Sequence, residues 1–302
     1  MRRDNIDRLA TPQSYYRPDS DRTPSFKYSA LPIKFGKPEL HLYGELLLPN
    51  KKPPVPAAIM THGLGSGVPA LRPTAQQIAK RGIASFIFDF RGHGRSGGLC
   101  DDKMGEDVLA AFLSLSNHPQ IDRHRIALVG HSMGATATLQ VLSELNGLRS
   151  LVCLSPPGDP NEEELLSSTF ETTLAKWGDT EREYPTDGYL PWLPAFFGNF
   201  SRLWMHIRGY RMRVNWRKYF GLWRTIRMAK ILAQKPPYPL LLVHCKGDRA
   251  VSTEGVQKLY KEASSPKELW LKPGGFHSTP LLHNRLRREW INWLTTVLNT
   301  TD

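Results

Sequence analysis

The sequence predicts an α/β fold, a mostly parallel sheet covered by helices on both faces, and three observations carry that reading. Short continuous runs of Val, Ile, Leu and Phe recur along the chain. Most are followed by a segment whose apolar residues repeat about every 3.6 positions. The runs also lack the strict apolar–polar alternation of a sheet with one wet face, so both of their faces are expected to be buried.

Each element follows in order. The first 30 residues are polar and charged and read as a loosely attached arm. Strands are expected at 40–48 (LHLYGELLL), 57–60 (AAIM), 83–90 (IASFIFDF), 125–130 (RIALVG), 148–155 (LRSLVCLS), 239–245 (PLLLVHC) and 268–272 (ELWLK). Helices are expected over Pro73–Arg81, Gly105–Ser116, Met133–Leu145, Thr253–Ala263 and Pro280–Leu298. Strand–helix–strand units of this kind cross over right-handed, which leaves few topologies. Between Pro156 and Lys235 the alternation stops, and the strings PWLP at 191–194 and KPPYP at 235–239 punctuate the segment. The domain reading is therefore an arm at 1–30, a core from 31–156 and 236–302, and a mainly helical insertion, a cap, at 157–235.

Composition narrows the class. The 302 residues include 40 Lys plus Arg against 28 Asp plus Glu, and 40% are hydrophobic. That length supports a large buried core without disulfides. No run approaches a membrane-spanning length, and the start MRRDNIDRLATPQ lacks the apolar region of a signal peptide. Cys100, Cys153 and Cys245 are an odd, scattered set, which argues for a reducing compartment and against a zinc site. The expected location is the cytoplasm, with peripheral membrane attachment as an added option. The excess charge is local. Arg202, Arg208, Arg211, Arg213, Arg217, Lys218, Arg224, Arg227 and Lys230 occur in one stretch with no acid, and the rest of the chain holds 31 basic residues against 28 acidic ones.

The string RIALVGHSMGATATLQ at 125–140 is a strand, the pattern Gly130-His131-Ser132-Met133-Gly134, and a helix. This is G-x-S-x-G in the context that lets it work, because the glycines permit a sharp turn that lifts the serine above the sheet. A serine hydroxyl is a weak nucleophile at neutral pH and needs a histidine base oriented by a carboxylate. Asp248 follows the run at 239–245 and His277 follows the run at 268–272, so the order is Ser132, Asp248, His277, each past a strand's carboxyl end. Asp159, also after a strand, is the alternative acid; Asp89 ends a strand before a tight turn and reads as structural. His283 reads as a helix-face residue. The oxyanion of an acyl-transfer intermediate needs donors, assigned to the N–H groups of Met133 and of Leu64 in the loop Thr61-His62-Gly63-Leu64-Gly65-Ser66-Gly67. That loop lacks the lysine and spacing of a phosphate-binding loop, and Gly92–Gly97 does not match a dinucleotide fingerprint, so no cofactor and no metal is implied.

These residues resemble the α/β-hydrolase superfamily, in particular its capped serine hydrolases, the monoacylglycerol lipase-like and serine aminopeptidase-like proteins. The resemblance rests on THGLGSG at 61–67, DFRGHGRS at 89–96, GHSMG at 130–134, GDRAV at 247–251 and GFH at 275–277. It covers 34–156 and 236–298. It implies an eight-stranded sheet, with a weak run near Pro32–Phe35 supplying the first strand, and a cap after the sixth. Serine at 132 is unlike the aspartate of epoxide hydrolases and the cysteine of dienelactone hydrolases. The HGGG oxyanion loop of one esterase group is replaced by His62-Gly63-Leu64-Gly65.

The insertion is where substrate choice is expected to lie. Twelve of the 30 aromatic residues fall within Tyr184–Trp223. On a helix over 216–226, Trp216, Tyr219, Phe220, Trp223 and Ile226 share one face, which either lines an acyl pocket or fastens the cap to the core. Candidate substrate contacts are His62, Trp192, Trp204, Trp216 and Phe220. The basic stretch suits an anionic membrane surface or an anionic substrate group; nucleic acid is disfavoured. The functional expectation is a serine hydrolase cleaving a carboxylic ester with a hydrophobic acyl group through an acyl-enzyme. The alternatives are an acyltransferase or thioesterase using an anionic acyl donor, and a non-catalytic ligand- or membrane-binding protein on a hydrolase scaffold.

Overall fold

The computed structural model describes residues 25–159 and 212–300. Its centre is one eight-stranded sheet: β1 (Tyr28–Phe35), β2 (Leu42–Pro49), β3 (Val55–Thr61), β4 (Ala84–Phe88), β5 (Ile121–His131), β6 (Leu148–Leu154), β7 (Leu240–Cys245) and β8 (Lys267–Lys272). The order across the sheet is β1-β2-β4-β3-β5-β6-β7-β8. β1 pairs antiparallel with β2, and β2 with β4, while every later pairing is parallel.

Side-chain alternation in the strands sends each apolar run to two different cores. Ala57, Ile59, Leu128, Leu151 and Leu242 point to one face, where α2 (Met104–Ser116), α3 (Met133–Gln140), α4 (Trp216–Thr225), α5 (Met228–Ala233) and α6 (Thr253–Glu262) cover them. Ala58, Met60, Val129, Val152 and Val243 point to the other, under α1 (Val68–Ala79), the short α7 (Thr279–Leu282) and α8 (Asn284–Asn299). Burial on both faces is why these strands read as continuous apolar runs.

Two boundaries differ from the sequence expectation. The helix expected to begin at Pro73 starts at Val68, with Pro69 in its first turn and Pro73 inside it. Proline at a helix start needs no N–H, so two candidate starts were available and the earlier one is used. The last helical segment is split at His283, whose Nδ1 accepts the Leu286 N–H and opens α8. His283 is therefore a cap residue and not a helix-face one.

The chain turns one way from β3 to β4 and the other way to β5. The carboxyl ends of β3 and β5 thus flank the point where strand order reverses, the place where open α/β sheets bind ligands.

Candidate active site

Ser132 stands between β5 and α3 with φ 53° and ψ −122°, a conformation that a residue bearing a side chain rarely adopts. Close packing enforces it. A β-carbon on Gly134 would lie 2.6 Å from the Thr61 carbonyl oxygen, and one on Gly130 would lie 2.6 Å from the Ala135 Cα. The two glycines let α3 press against β3 and β5, and the turn between them pushes Ser132 outward. Its own N–H donates to the Leu154 carbonyl at 3.0 Å, and its carbonyl accepts the Ala135 N–H at 2.9 Å, opening the helix.

Gly63 lies directly beside this turn: a β-carbon there would be 3.2 Å from Ser132 Cβ. Among the described residues, the N–H groups of Leu64 and Met133 donate to no other group. The loop carrying Leu64 is braced by two buried imidazoles. His62 Nε2 accepts the Phe90 N–H at 3.1 Å, and its Nδ1–H donates to the Gly63 carbonyl at 2.8 Å. His93 Nε2 accepts the Gly65 N–H at 3.2 Å, and its Nδ1–H donates to the Arg91 carbonyl at 3.2 Å. The rings meet edge-on, 4.9 Å apart. Burial holds His62 well below the usual histidine range and His93 down to about 4, so both are neutral at pH 7. The expectation that His62 touches substrate is corrected: the ring is fully buried and both nitrogens are engaged with backbone.

Asp248 lies in the turn after β7. Its Oδ1 accepts the N–H groups of Ala250 and Val251 at 2.8 and 3.1 Å, and Oδ2 accepts the Nδ1–H of His277 at 2.7 Å. Burial pushes this carboxyl upward, but the His277 hydrogen bond and charge and the two N–H donors outweigh it, so it lies below its ordinary value. His277 Nε2 points away from Asp248, and no hydrogen bond joins it to Ser132 Oγ among the described residues. His131, the residue before Ser132, places its ring 5.0 Å from that of His277.

The competing residues are occupied elsewhere. Asp159 accepts the N–H groups of Met228 and Ala229 and so caps α5. Asp89 accepts the Val68 N–H at 2.7 Å and the Arg95 N–H at 2.9 Å, which fixes the start of α1 and the turn beyond β4.

Three residues near the site escaped the sequence reading. His131 and Ser155 both bond to the His277 backbone. His244, in β7, is fully buried, among the described residues neither of its ring nitrogens is hydrogen-bonded, and its Nδ1 lies 3.9 Å from Asp248 Oδ2. Within an apolar run His244 has the sequence signature of a core residue, and Ser155 has none.

Of the residues expected to form the pocket, Trp192 and Trp204 lie outside the described residues, as do Arg202, Arg208 and Arg211. Trp216 is only 4% exposed and lies in the core cluster, stacked on Phe220 with ring centroids 5.5 Å apart. Its indole fastens α4 to the sheet, which corrects the expectation of a substrate contact; Phe220 is partly buried on the same cluster. Two of the basic residues hold backbone: Arg213 donates to the Ser96 carbonyl and Arg227 to the carbonyls of Arg224 and Ile226. Among the described residues no group of His, Cys, Asp and Glu is arranged to hold a metal ion, and no helix is long and apolar enough to cross a membrane.

A mostly parallel sheet with Ser132 on a strained turn at one strand end, and an Asp–His pair past two neighbouring strands, is the frame of a hydrolase of the α/β class. The sequence model of the Alpha/beta hydrolase family matches residues 58–287, and the chain belongs to that family. Among its relatives is the uncharacterized protein YfhR of Escherichia coli O157:H7, 24% identical over 298 residues, which are 94% of this chain and 87% of the relative. The crystal structure of hypothetical protein PA2218 from Pseudomonas aeruginosa has the same fold, with a TM-score of 0.72 at 20% identity over 93% of this chain and 98% of that one. Est1E from Butyrivibrio proteoclasticus, solved with ferulic acid bound, gives a TM-score of 0.61 at 19% identity over 87% of this chain and 96% of its own.

Proposed function

We propose that this protein is a serine hydrolase of carboxylic esters that works through a covalent acyl-enzyme on Ser132. The observation that carries the reading is the 2.7 Å hydrogen bond from His277 to the buried Asp248. It fixes the imidazole with its proton on Nδ1 and leaves Nε2 as a base, on the same rim as a serine held in a strained turn.

The chemistry follows from those positions. His277 Nε2 takes the Ser132 hydroxyl proton as Oγ attacks the ester carbonyl carbon. The negative charge formed on the carbonyl oxygen is met by the N–H groups of Met133 and Leu64. Collapse of this intermediate breaks the bond to the alcohol, which leaves with the proton from His277. Water then attacks the acyl-serine, with His277 again as base, releasing the carboxylic acid and restoring Ser132. Asp248 steadies the imidazolium in both halves.

Est1E has an acid of the aromatic carboxylic class bound in the same fold, which supports an ester substrate. The test is fluorophosphonate labelling followed by a panel of esters, thioesters and amides, with and without an alcohol acceptor. Labelling of the wild type and its loss in Ser132→Ala are expected, with esters turned over fastest. An unlabelled, folded wild type overturns the enzymatic reading, and faster turnover with an acceptor or with coenzyme A thioesters replaces hydrolysis by acyl transfer or thioester cleavage.

A further inference from the structure

We propose that His131 and Ser155 are positioning residues that clamp the backbone of the base-carrying loop, and so set where His277 Nε2 meets Ser132. The proposal rests on the reading of Ser132, Asp248 and His277 given above and adds two residues to it.

The loop after β8 is held at its start, where the Gly274 carbonyl accepts the Gly247 N–H at 3.0 Å, and next to the base, where the Phe276 N–H donates to Thr279 Oγ1 at 2.8 Å. Gly274 and Gly275 immediately precede the base in left-handed conformations, with φ 64° and 77°. Phe276, next to His277, is 58% exposed and so contributes little packing. Asp248 fixes one atom of the imidazole, but a single hydrogen bond leaves the ring free to pivot with its backbone. At His277 itself the backbone is held through its carbonyl. It accepts two side-chain donors, Ser155 Oγ at 2.8 Å and His131 Nε2 at 3.2 Å. The donors come from the carboxyl ends of β6 and β5, the two strands adjoining the turn that carries Ser132.

Each donor shows a feature that a packing role does not require. Ser155 is fully buried yet holds φ 46°, a left-handed conformation unfavourable for serine; its N–H is fixed to the Val243 carbonyl at 2.8 Å, and the turn aims its hydroxyl at the His277 loop. Strain of this kind persists where the surroundings impose it, commonly around active sites. His131 adjoins Ser132 in sequence, so one ring links the nucleophile's turn to the base's loop. Its Nδ1 faces Gly63 of the oxyanion loop, where a β-carbon would sit 3.1 Å away. Burial depresses its basicity, with the neighbouring His277 adding to the effect, and holds it at about 4. At neutral pH the ring is therefore an uncharged donor through Nε2–H, and the imidazolium formed during turnover belongs to His277 alone.

The test uses the full chain and four variants. His131→Phe keeps a ring without the donor, and His131→Gln restores an N–H near the Nε2 position. Ser155→Gly removes the hydroxyl and suits the left-handed backbone, so loss of fold does not confound it. The double variant His131→Phe/Ser155→Gly removes both donors. Fluorophosphonate labelling rate, kcat and KM on an ester, thermal midpoint, and the proton resonance of His277 Nδ1–H are measured. A misplaced catalytic group costs up to ~100-fold in rate, so ~10-fold losses in kcat and labelling rate for each single change and ~100-fold for the double are expected, with KM nearly constant. The His277 resonance broadens in step with the lost donors, and His131→Gln recovers most of the rate. Wild-type kcat and labelling in a folded double variant overturn the clamp alone. An unlabelled wild type, or undiminished labelling of Ser132→Ala, overturns the reading of the site and the clamp with it.

Discussion

The carboxylate of Asp248 has no solvent-accessible side-chain surface, and its Oδ2 receives the His277 Nδ1–H at 2.7 Å. Asp248→Asn keeps the shape but reverses the hydrogen-bond polarity, and a fall in kcat of ~10³–10⁴-fold is expected by analogy with the serine protease triad. The carboxyl lies below its ordinary value of 3.8 in the folded protein. Its ionised form therefore stabilises the fold fully above that value, and the contribution disappears as pH falls through the lower folded value. Urea unfolding of wild type and Asp248→Asn should differ most at pH 7, with the difference narrowing as pH falls below 3.8; equal kcat values would refute the assignment.

Asp159 is the discriminating control. It caps α5 through the Met228 and Ala229 N–H groups, so Asp159→Ala should cost about 1 kcal/mol of stability, the usual worth of a helix cap. Fluorophosphonate labelling and kcat should stay within a few-fold of wild type. A loss of activity as large as that of Asp248→Asn would return Asp159 to the role of catalytic acid.

The turn carrying Ser132 can be probed through its neighbour. Gly134→Ala places a methyl group 2.6 Å from the Thr61 carbonyl oxygen, which is backbone and cannot step aside. Overpacking of this kind costs roughly 1–3 kcal/mol. A lower thermal midpoint and slower labelling of Ser132 are expected together, since α3 must move and the serine moves with it. Unchanged values for both would mean that α3 does not press on β3.

Four buried imidazoles near the site make stability depend on pH, His244 among them, which burial lowers from its ordinary value. His93 and His131 are held at about 4 against an ordinary 6.5, and His62 lies well below 6.5. Between pH 6.5 and about 4 the unfolded chain binds protons that the folded chain refuses, so stability falls as pH falls. The slope is about 1.4 kcal/mol per pH unit for each histidine that stays neutral in the fold. Glutamine at 93 keeps an acceptor for the Gly65 N–H but cannot titrate, so denaturant midpoints of His93→Gln at pH 7, 6 and 5 should decline more gently than those of wild type. Identical slopes would mean that His93 is charged or exposed.

Much of the frame was legible in the chain because burial on both sheet faces leaves an unmistakable apolar run, as in β3, β5 and β7. β1 was the weakest signal, since it is an edge strand with most of its residues exposed. Ser132 was legible because two glycines and a strand–helix junction mark the turn locally. What the sequence could not carry were relationships between distant backbones. His62 looked like a substrate contact because it stands beside Gly63 and Leu64 in the loop after β3, yet its partner is the Phe90 N–H, 28 positions away. Nothing in the order of residues separates Asp159 from Asp248; the Met228 and Ala229 N–H groups do. Trp216 shares a helix face with other aromatics, a pattern common to pocket linings and to core contacts, and its burial in the core cluster decides between them.

The bond from Asp159 to Met228 and Ala229 ties the chain soon after it leaves β6 to the helix that leads it back towards β7, and the pairing of Arg213 with Gly92 anchors the returning strand as well. With both stubs tethered, the length of what lies between them is nearly neutral for the fold, since doubling a loop costs only about 0.6 kcal/mol. Insertion or deletion between these two tethers is thus compatible with an unchanged sheet, Ser132 turn and Asp248–His277 hydrogen bond.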